Sequence, residues 1–291
     1  MLAAHQSILM CPPQHYGVDY VINPWMQDQL GRTDRELARR QWDGLRQALA
    51  AGAEITLVDA QPGLPDMVFT ANAGMVRGNI AVVSRFRSPE RQGEEPFFRS
   101  WFEQNGFSIA RWPKGVFFEG AGDALFDRAR DLIWSGCGFR SDVAAANLLG
   151  KIFDCESIPI RLVDSRFYHL DTCLCPLPGG WLIYYPPAFD AASLEEIGRR
   201  VPKAKRIAVS KTDALQFACN AVELGGRVIM NGASPQLQAR LRAAGFRPVL
   251  TPLSEFLKAG GTAKCLTLKL REMDHAEAPR SPGVRFSVKP L

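Results

Sequence analysis

Short segments with alternating apolar and polar residues recur along the chain and predict β-strands. Leu266, Leu268 and Leu270, for example, occupy alternate positions, which is the spacing of a strand with one buried face. Many such segments come in pairs around glycine-containing turns, as at Gly225-Gly226, and pairs of this kind are typical of hairpins. Hairpins are therefore the first predicted building blocks of the fold.

Amphipathic helices are predicted between the hairpins. The first is expected to begin at Thr33, with Glu36 at the capping-box position, and to end at Gly52. Leu37, Trp42, Leu45 and Leu49 provide its apolar face. A single further strand follows each predicted helix.

These elements form five copies of the order strand, strand, helix, strand. Four copies are continuous, and they cover residues 73–111, 123–163, 172–209 and 221–250. The fifth needs both ends of the chain, because the strand 264–270 is expected to pair with residues 7–11. A repeat spacing of about 45–50 residues is typical of ring-like repeated architectures. We therefore predict one α/β domain over residues 1–271, with residues 272–291 as a C-terminal extension.

Polar residues stand at or just before the first strand of each copy. They are Asn72, the segment Glu119–Asp123, Asp171, Asn220 and Cys265. Equivalent positions in a closed ring face a common centre, so these side chains are expected to converge.

Cys265 is the predicted nucleophile. It follows Gly260-Gly261, which frees the backbone for an unusual turn, and it is expected to open the last strand. His169 is the best placed of four histidines for proton transfer, because it stands at a strand entrance and histidine titrates near neutral pH. A packed thiol and a structural histidine are the alternatives for these two residues.

Two further entrances carry candidate polar contacts for a substrate. Glu119 and Asp123 lie among glycines and could hold a cation, although carboxylates in such a turn can instead satisfy backbone groups. Asn72 could likewise be an ordinary turn residue. The hypothesis of a site depends on all of these residues occupying matched points of one repeat.

Composition and charge exclude several classes of function. The chain has 291 residues, 46% of them hydrophobic, and a mild net charge of +5 without a long basic run, so neither a nucleic acid nor a membrane is an expected partner. The seven cysteines and the absence of a leader-like N-terminus predict a cytoplasmic protein with free thiols. Cys173 and Cys175 could bind a metal, but ordinary core thiols are favoured.

The motifs together resemble one known superfamily. The segments 68–74, 118–123, 169–172 and 260–265 are similar to those of the pentein enzymes that modify guanidino groups. These include dimethylarginine dimethylaminohydrolase, arginine deiminase, arginine dihydrolase and the amidinotransferases. The resemblance runs from Ile8 to Leu270 and implies a five-bladed α/β-propeller with pseudo-five-fold β-β-α-β repeats.

The resemblance also implies roles for individual residues. Cys265 would be the nucleophile, His169 the acid/base and Glu119 the anchor for the guanidinium. The further substrate contacts that it implies, together with those expected from the entrances, are Asn23, Asp66, Phe69, Asn72, Arg85, Asp123, Arg140 and Asp171. Asp171 could also support the imidazolium of His169.

One residue, Asn72, differs from the usual family pattern and indicates a particular branch of the superfamily. Deiminases and dimethylarginine hydrolases usually have aspartate where Asn72 stands, and the pair Asn23 and Asn72 is most similar to the arginine dihydrolases. An asparagine amide can donate a hydrogen bond to a neutral ureido oxygen, whereas a carboxylate repels it. This difference predicts a site that could orient a citrulline-like intermediate for a second attack.

The resulting prediction is a hydrolase that forms a covalent thiouronium on Cys265 and needs no metal or organic cofactor. Its partner would be a small guanidino substrate, arginine or a derivative, released as citrulline or ornithine with ammonia or methylamine. An amidinotransferase with an amine acceptor and a non-catalytic pentein binding protein are the alternatives. The sequence also leaves a homo-oligomer open.

Overall fold

The computed structural model describes residues 6–271, and within that range five three-stranded sheets share one topology. In each sheet an antiparallel hairpin is extended by a third strand that runs parallel to the second strand. The α/β repeat expected from the sequence is therefore confirmed.

The strands of the described residues are β1 (Ser7–Met10), β2 (Glu54–Leu57), β3 (Gly74–Arg77), β4 (Ile80–Val83), β5 (Ser108–Ile109), β6 (Ala124–Phe126), β7 (Leu132–Cys137), β8 (Glu156–Arg161), β9 (Leu174–Leu177), β10 (Trp181–Tyr184), β11 (Arg206–Ala208), β12 (Val222–Leu224), β13 (Arg227–Met230), β14 (Arg247–Leu250) and β15 (Leu268–Arg271). The α-helices are α1 (Arg35–Ala50), α2 (Pro89–Gln92), α3 (Glu95–Gln104), α4 (Ala144–Phe153), α5 (Ala191–Arg200), α6 (Lys211–Leu215), α7 (Pro235–Ala243) and α8 (Ser254–Leu257).

Each sheet corresponds to one predicted repeat. The sheets β3-β4-β5, β6-β7-β8, β9-β10-β11 and β12-β13-β14 are continuous in sequence, with α3, α4, α5 and α7 before their third strands. The fifth sheet has the order β15-β1-β2, so the two ends of the described chain meet there. Leu9 lies opposite Leu268 and Ile8 opposite Lys269 in the antiparallel pair. The predicted closure of the last repeat by both ends is thus confirmed.

The first strands of all five sheets line one cavity on the axis of the ring. In β12 and β15 apolar and polar residues alternate, because successive residues of a strand face opposite sides. The outer faces of the sheets are covered by helices such as α1, which buries Ala38, Trp42, Leu45 and Leu49. This arrangement places the ends of the inner strands around a common centre.

The start of the first helix differs from its prediction. Asp34, not Thr33, caps α1, because its backbone is extended and its side chain accepts a hydrogen bond from the Leu37 N–H. The hydroxyl of Thr33 instead accepts the N–H of Val18 at 3.2 Å.

The start of the last strand was also predicted wrongly. Cys265 does not open it, because residues 262–267 form a turn in which the Leu266 N–H reaches the Thr262 carbonyl at 3.1 Å. The strand begins only at Leu268. Among residues 6–271, no helix combines the length and the apolar character needed to cross a bilayer. The predicted extension 272–291 lies outside the described residues.

Candidate active site

Three of the five inner strands are preceded by a short 3₁₀ turn. These turns span Thr70–Ala73 before β3, Gly120–Gly122 before β6 and Leu170–Thr172 before β9. Asn72 lies within the first turn, and Glu119 and His169 cap the other two. The repeat therefore brings these polar side chains to the same end of the ring.

One pocket opens at this end of the ring. Its lining residues are Ile22, Asn23, Asp66, Phe69, Asn72, Arg91, Arg140, Tyr168, His169, Ala259, Gly261 and Cys265. The sulfur-bearing residue and the imidazole share this pocket although they are 96 positions apart in the chain. Most of the lining is polar and buried, so the pocket offers charged and hydrogen-bonding groups to a small ligand.

The thiol of Cys265 is buried beside a carboxylate and an amide. Its Sγ lies 3.5 Å from Oδ2 of Asp171 and 3.1 Å from the amide nitrogen of Asn220. Burial, followed by the charge of Asp171, raises the pKa of the Cys265 thiol well above its ordinary value, although the Thr262 N–H, Lys264 and Asn220 oppose this rise. A nucleophilic thiolate therefore requires an additional positive charge, which a bound cation would provide.

Asn220 organises the turn that presents the sulfur. Its Oδ1 accepts hydrogen bonds from the backbone N–H groups of Thr262, Lys264 and Cys265, at 3.1–3.2 Å, and from the Thr262 hydroxyl at 2.8 Å. Its Nδ2 donates to the Asp171 carbonyl and to the Cys265 Sγ. The side chain is completely buried, so it ties the cysteine turn to the neighbouring blade without help from solvent.

Replacing Asn220 by alanine should therefore destabilise the protein strongly. Several buried N–H groups would lose their acceptor, so we expect the free energy of unfolding to fall by about 3 kcal/mol. Urea denaturation measures this change. Asn231→Ala is the matched control: Asn231 makes two side-chain hydrogen bonds at a less buried position, and its loss should cost about 1 kcal/mol or less. Equal effects of the two variants would contradict the organising role.

His169 is held by a buried carboxylate. Its Nε2 lies 2.7 Å from Oε2 of Glu119, which also accepts a hydrogen bond from Arg140 at 3.1 Å. Burial alone would raise the pKa of Glu119, but the charge of Arg140 and the contact with His169 lower it to about 2. The carboxylate is therefore ionised, and it holds the imidazole in place through the contact with Nε2.

The close packing around His169 requires a glycine at position 122. A β-carbon there would overlap the amide nitrogen of Asn72 and would lie 3.4 Å from the imidazole ring. Gly122 therefore lets the turns before β3 and β6 approach each other at the site.

Asp66 presents a buried carboxyl group to the pocket. By hydrogen-bond geometry its Oδ1 is without a partner among the described residues, although the Tyr20 hydroxyl is close enough to influence the pKa of this carboxyl. Oδ2 lies 3.8 Å from Nε of Arg91, whose charge partly offsets the effect of burial on this carboxyl. Burial still raises the pKa of Asp66. A buried oxygen without a partner is costly, which makes Asp66 a natural acceptor for a cationic ligand.

Arg91 and the two predicted asparagines complete the pocket wall. Arg91 donates to Oδ1 of Asn72 at 2.8 Å and pairs with Glu94. The Asn72 Nδ2 donates to the Glu119 carbonyl at 2.9 Å. Asn23 accepts the N–H groups that follow it and donates to the Ala259 carbonyl at 3.0 Å.

The structure brings most predicted site residues to the pocket. Cys265, His169, Asn23, Asp66, Phe69, Asn72 and Arg140 line it. Glu119 is fully buried and contacts His169 and Arg140 from behind, which favours a positioning role over the predicted direct anchoring of a guanidinium. Asp123 accepts from Ser141 and the Leu170 N–H, which also places it behind the lining.

Two of the predicted contacts have other neighbours than expected. Arg85 does not line the pocket; its side chain is 43% exposed and faces Glu95 at 3.4 Å, because its backbone bridges to Phe118. Asp171 contacts the Cys265 sulfur, whereas the carboxylate that touches the imidazole belongs to Glu119. Asp171 is therefore in contact with the thiol, and it also interacts electrostatically with His169, so its predicted support of the imidazole stays a prediction.

Sequence patterns missed Arg91 and Tyr168, and they marked Asn220 as an entrance residue without giving it a role. Arg91 could have been found from its spacing to Glu94, which is typical of an ion pair on one helical turn. The Tyr168 hydroxyl donates to the Gly260 carbonyl at 2.8 Å and so helps hold the Gly-Gly turn.

Removing the negative charge next to the sulfur should make the thiol more reactive. The Asp171 carboxylate raises the pKa of Cys265, so Asp171→Asn should lower that pKa and increase the thiolate fraction at pH 8. We expect alkylation of Cys265 by iodoacetamide to become about 3- to 10-fold faster. Mass spectrometry of the Cys265 peptide measures the rate from pH 6 to 10.

Asp164→Asn is the matched control for this measurement, because Asp164 pairs with Arg166 away from the pocket. It should leave the alkylation rate unchanged. In the wild type the rate should still rise above pH 9, since the thiol pKa exceeds its ordinary value. A plateau below pH 8 in the wild type would contradict the raised pKa of the thiol.

Within the part of the chain that the structure describes, no group of three histidine, cysteine or acidic residues is arranged to hold a metal ion. Cys173 and Cys175 are both buried as free thiols. The polar groups that could act in chemistry at the pocket are thus the thiol, the imidazole and their charged neighbours.

Comparison with known proteins agrees with this geometry. A family model described as N,N dimethylarginine dimethylhydrolase, eukaryotic, matches residues 19–272. The bifunctional arginine dihydrolase/ornithine cyclodeaminase ArgZ of Synechocystis sp. is 55% identical over 281 residues, which are 97% of this chain and 39% of ArgZ. The chain therefore spans about two fifths of that relative. The N(G),N(G)-dimethylarginine dimethylaminohydrolase of Mycobacterium tuberculosis is 42% identical over 262 residues, covering 90% of this chain and 84% of that protein.

Solved structures show the same similarity. The N-terminal domain of ArgZ, as a cysteine-to-serine variant bound to substrate, superposes with a TM-score of 0.91 at 54% identity, covering 92% of this chain and 98% of that one. A dimethylarginine dimethylaminohydrolase adduct with S-methyl-L-thiocitrulline shares the fold, with a TM-score of 0.77 at 21% identity, 91% coverage of this chain and 100% of that one. The five matching sheets are thus those of the pentein α/β-propeller. With a family model matched over most of its length and a 42% identical relative covered nearly end to end, this chain belongs to the dimethylarginine dimethylaminohydrolase family.

Proposed function

We propose that the chain hydrolyses the guanidinium group of L-arginine twice, which gives ornithine, two molecules of ammonia and carbon dioxide. The observation that carries the proposal is that Cys265, His169 and the buried carboxyl group of Asp66 share one pocket. The pocket thus combines a nucleophile, a proton donor and an acceptor for a cation. These are the groups that substitution at a guanidinium carbon needs.

The relatives support arginine as the substrate. ArgZ of Synechocystis and AgrE of Nostoc, at 55% and 54% identity, are both named arginine dihydrolases in addition to their second activity. The N-terminal domain of ArgZ, the part that matches this chain, was solved with its product bound. An asparagine-to-serine variant of that domain is covalently bound to a reaction intermediate.

Substrate binding would generate the nucleophile. A guanidinium held between Asp66 and the sulfur would lower the pKa of the Cys265 thiol, because the positive charge stabilises the thiolate. The thiol proton would leave to solvent or to the adjacent Asp171 carboxylate, which lies 3.5 Å from the sulfur. Binding and activation are thus linked, and the free enzyme keeps an unreactive thiol.

The first round would release one ammonia. The thiolate forms a C–S bond to the guanidinium carbon, and the protonated His169 gives a proton to the departing nitrogen as the C–N bond breaks. An S-alkylthiouronium remains on Cys265. The neutral imidazole then removes a proton from water as it attacks, the C–S bond breaks, and citrulline forms with the thiolate restored.

The second round would use the ureido carbon of the retained citrulline. Thiolate attack and proton transfer from His169 release the second ammonia and leave a thiocarbamate on Cys265. Water hydrolyses it to the carbamate of ornithine, which loses carbon dioxide. In total, arginine and two waters give ornithine, two ammonia and one carbon dioxide.

A panel of guanidino compounds tests the proposed activity. The purified protein is incubated separately with L-arginine, N(G),N(G)-dimethylarginine and agmatine, and amines, citrulline and ornithine are quantified by mass spectrometry. We expect ornithine and ammonia from arginine, with little turnover of the other two. Methylamine or dimethylamine as the main product would instead support the dimethylarginine activity of the Mycobacterium tuberculosis relative. Transfer of the amidino group to added glycine or lysine would support an amidinotransferase.

Asn72 should decide how far the reaction proceeds. Its amide is oriented by Arg91 and the Glu119 carbonyl. Asn72→Asp would place a carboxylate where a neutral ureido oxygen must be held, so we expect the ornithine-to-citrulline product ratio to fall at least tenfold, which corresponds to about 1.4 kcal/mol. Asn79→Asp, the same change in the exposed β3–β4 turn, is the control. An unchanged ratio in Asn72→Asp would contradict this role.

A cytoplasmic location and a homo-oligomeric state remain predictions from the sequence.

A further inference from the structure

Two arginines stand in the pocket wall together with the carboxylate that is proposed to receive a cation. Arg91 and Arg140 both line the pocket, and among the described lining residues Asp66 is the only one with a carboxyl group. The substrate of the proposed reaction carries the same guanidinium group as an arginine side chain. Guanidinium groups bind carboxylates well, so an arginine of the wall could compete with the substrate for Asp66.

Arg91 is close enough to Asp66 to compete directly. Its Nε lies 3.8 Å from Oδ2 of Asp66, and its Nη2 already donates to the Asp66 backbone carbonyl at 3.1 Å. Both side chains are only 3% exposed, so little water separates their charges. A shift of about 1 Å would turn this separation into a direct hydrogen bond. Arg140, by contrast, pairs with Glu119 behind the lining.

Glu94 holds the guanidinium of Arg91 away from Asp66. Its two carboxylate oxygens accept the Nε and Nη2 of Arg91, both at 2.8 Å, in the bidentate geometry that guanidinium groups prefer. Glu94 is fully buried and caps the start of α3, three residues after Arg91. The Nε–H is a single donor, so its short bond to Glu94 is made in place of one to Asp66.

The other contacts of Arg91 do not carry charge. Its Cζ lies 4.4 Å from the ring centroid of Phe86, and its Nη1 donates to Oδ1 of Asn72 at 2.8 Å. Within residues 6–271, the carboxylates at ion-pair distance from Arg91 are those of Glu94 and Asp66. The position of the guanidinium therefore depends on which of these two carboxylates holds it.

We propose that Glu94 is a positioning residue for substrate binding: it occupies the guanidinium of Arg91 and so keeps the Asp66 carboxylate available for the guanidinium of the substrate. The identity of the substrate rests on the proposed function, whereas the competition between the two carboxylates follows from their distances to Arg91. Without the charge of Glu94, Arg91 should move to Asp66 and take the place of the substrate. The hydroxyl of Tyr20, which also acts on the Asp66 carboxyl, is neutral and does not replace a cation.

Glu94→Gln tests the proposal by kinetics, because glutamine keeps the shape of the side chain but cannot accept both N–H groups of Arg91. Burial raises the pKa of Glu94 to about 7 although the charge of Arg91 opposes the rise, so assays at pH 8 keep the wild-type carboxylate ionised. We expect KM for arginine to rise at least about 10-fold, while kcat for arginine consumption falls less than about threefold. A lower kcat with an unchanged KM would overturn the proposal.

Glu95→Gln is the matched control. Glu95 also pairs with an arginine at the start of α3, but neither Glu95 nor its partner Arg85 lines the pocket. This variant should keep KM and kcat within about twofold of the wild type. Equilibrium dialysis of labelled arginine against Cys265→Ser, with and without Glu94→Gln, measures binding in the absence of turnover. The Kd should rise at least about 10-fold with Glu94→Gln, and an equal Kd would overturn the proposal.

A crystal structure of Glu94→Gln decides the question without any substrate. We expect the Arg91 guanidinium about 3 Å from the Asp66 carboxylate. An Arg91 that keeps its wild-type position, or that turns to solvent, would overturn the inference. Failure of arginine to bind even to Cys265→Ser would contradict the proposed function, and this structure would still decide the inference separately.

Glu94→Asp replaces Glu94→Gln in each measurement if the latter does not fold. Aspartate keeps the charge, but its shorter side chain cannot hold both N–H groups of Arg91 as closely. We then expect KM for arginine to rise about 3- to 10-fold, with kcat again little changed. An unchanged KM in Glu94→Asp, with Arg91 nearer to Asp66 in its crystal structure, would overturn the inference, and so would an unmoved Arg91.

Discussion

Cys265→Ser should lower kcat for arginine by at least about 10⁴-fold while the protein stays folded. The hydroxyl is a much weaker nucleophile, and the bound cation that turns the thiol into a thiolate cannot ionise a serine in the same way. Substrate should still bind, because Asp66 and the pocket wall are unchanged. Steady-state kinetics and equilibrium dialysis with labelled arginine measure the two quantities.

Cys155→Ser is the matched control for this loss. Cys155 is a free, partly exposed thiol that follows α4 and does not line the pocket. It should retain wild-type kcat within about twofold. More than a tenth of wild-type activity in Cys265→Ser would contradict a nucleophilic sulfur.

Glu119→Gln should be the second most damaging change. The substitution keeps the shape of the side chain but removes the negative charge that lies 2.7 Å from Nε2 of His169. We expect kcat to fall by about 10²- to 10³-fold with little change in KM, because proton delivery to the leaving nitrogen is impaired more than binding. Arg140 would also lose its buried partner, so stability should fall by about 3 kcal/mol.

Glu196→Gln provides the control for Glu119→Gln. Glu196 pairs with two arginines on the surface helix α5 and does not line the pocket. Its kcat should change less than about twofold. If Glu119→Gln instead raised KM and left kcat intact, the carboxylate would be a direct substrate anchor, as the family resemblance implies.

The repeat was predictable because each copy carries the same local signals. Two apolar strands, an amphipathic helix and a third strand recur at a regular spacing, and the polar residues at the entrances have the same place in each copy. Asn72, His169 and Cys265 lie in the pocket for this reason. The pairing of β1 with β15 was predictable because the fifth copy has only one strand at the C-terminal end and therefore needs a second strand from the N-terminal end.

Residues that have no equivalent position in the predicted repeat could not be placed in this way. Arg91 lies on α2, a single turn between β4 and α3 that has no equivalent in the predicted unit, yet it contacts Asn72. Arg85 is near the predicted position, but its backbone bridge to Phe118 leaves the guanidinium facing Glu95. Local patterns fix the position of the backbone in the ring, whereas the direction of a long side chain depends on its three-dimensional neighbours.

The sequence also did not show which group each carboxylate contacts. Glu119 and Asp171 occupy equivalent entrances, but one contacts the imidazole and the other the sulfur. The difference arises from side-chain packing around Asn220 and Gly122, which bring the cysteine turn and the His169 ring to their places. Assigning these contacts requires coordinates.

The proposed reaction depends on a bond between the Cys265 sulfur and the guanidinium carbon of arginine. Rapid acid quench during the first turnover, followed by proteolysis and mass spectrometry, would detect this bond. We expect the Cys265 peptide to gain the mass of arginine minus ammonia, and we expect the gain to disappear in Cys265→Ser. Ornithine production with no adduct on Cys265, or with the adduct on another residue, would contradict it.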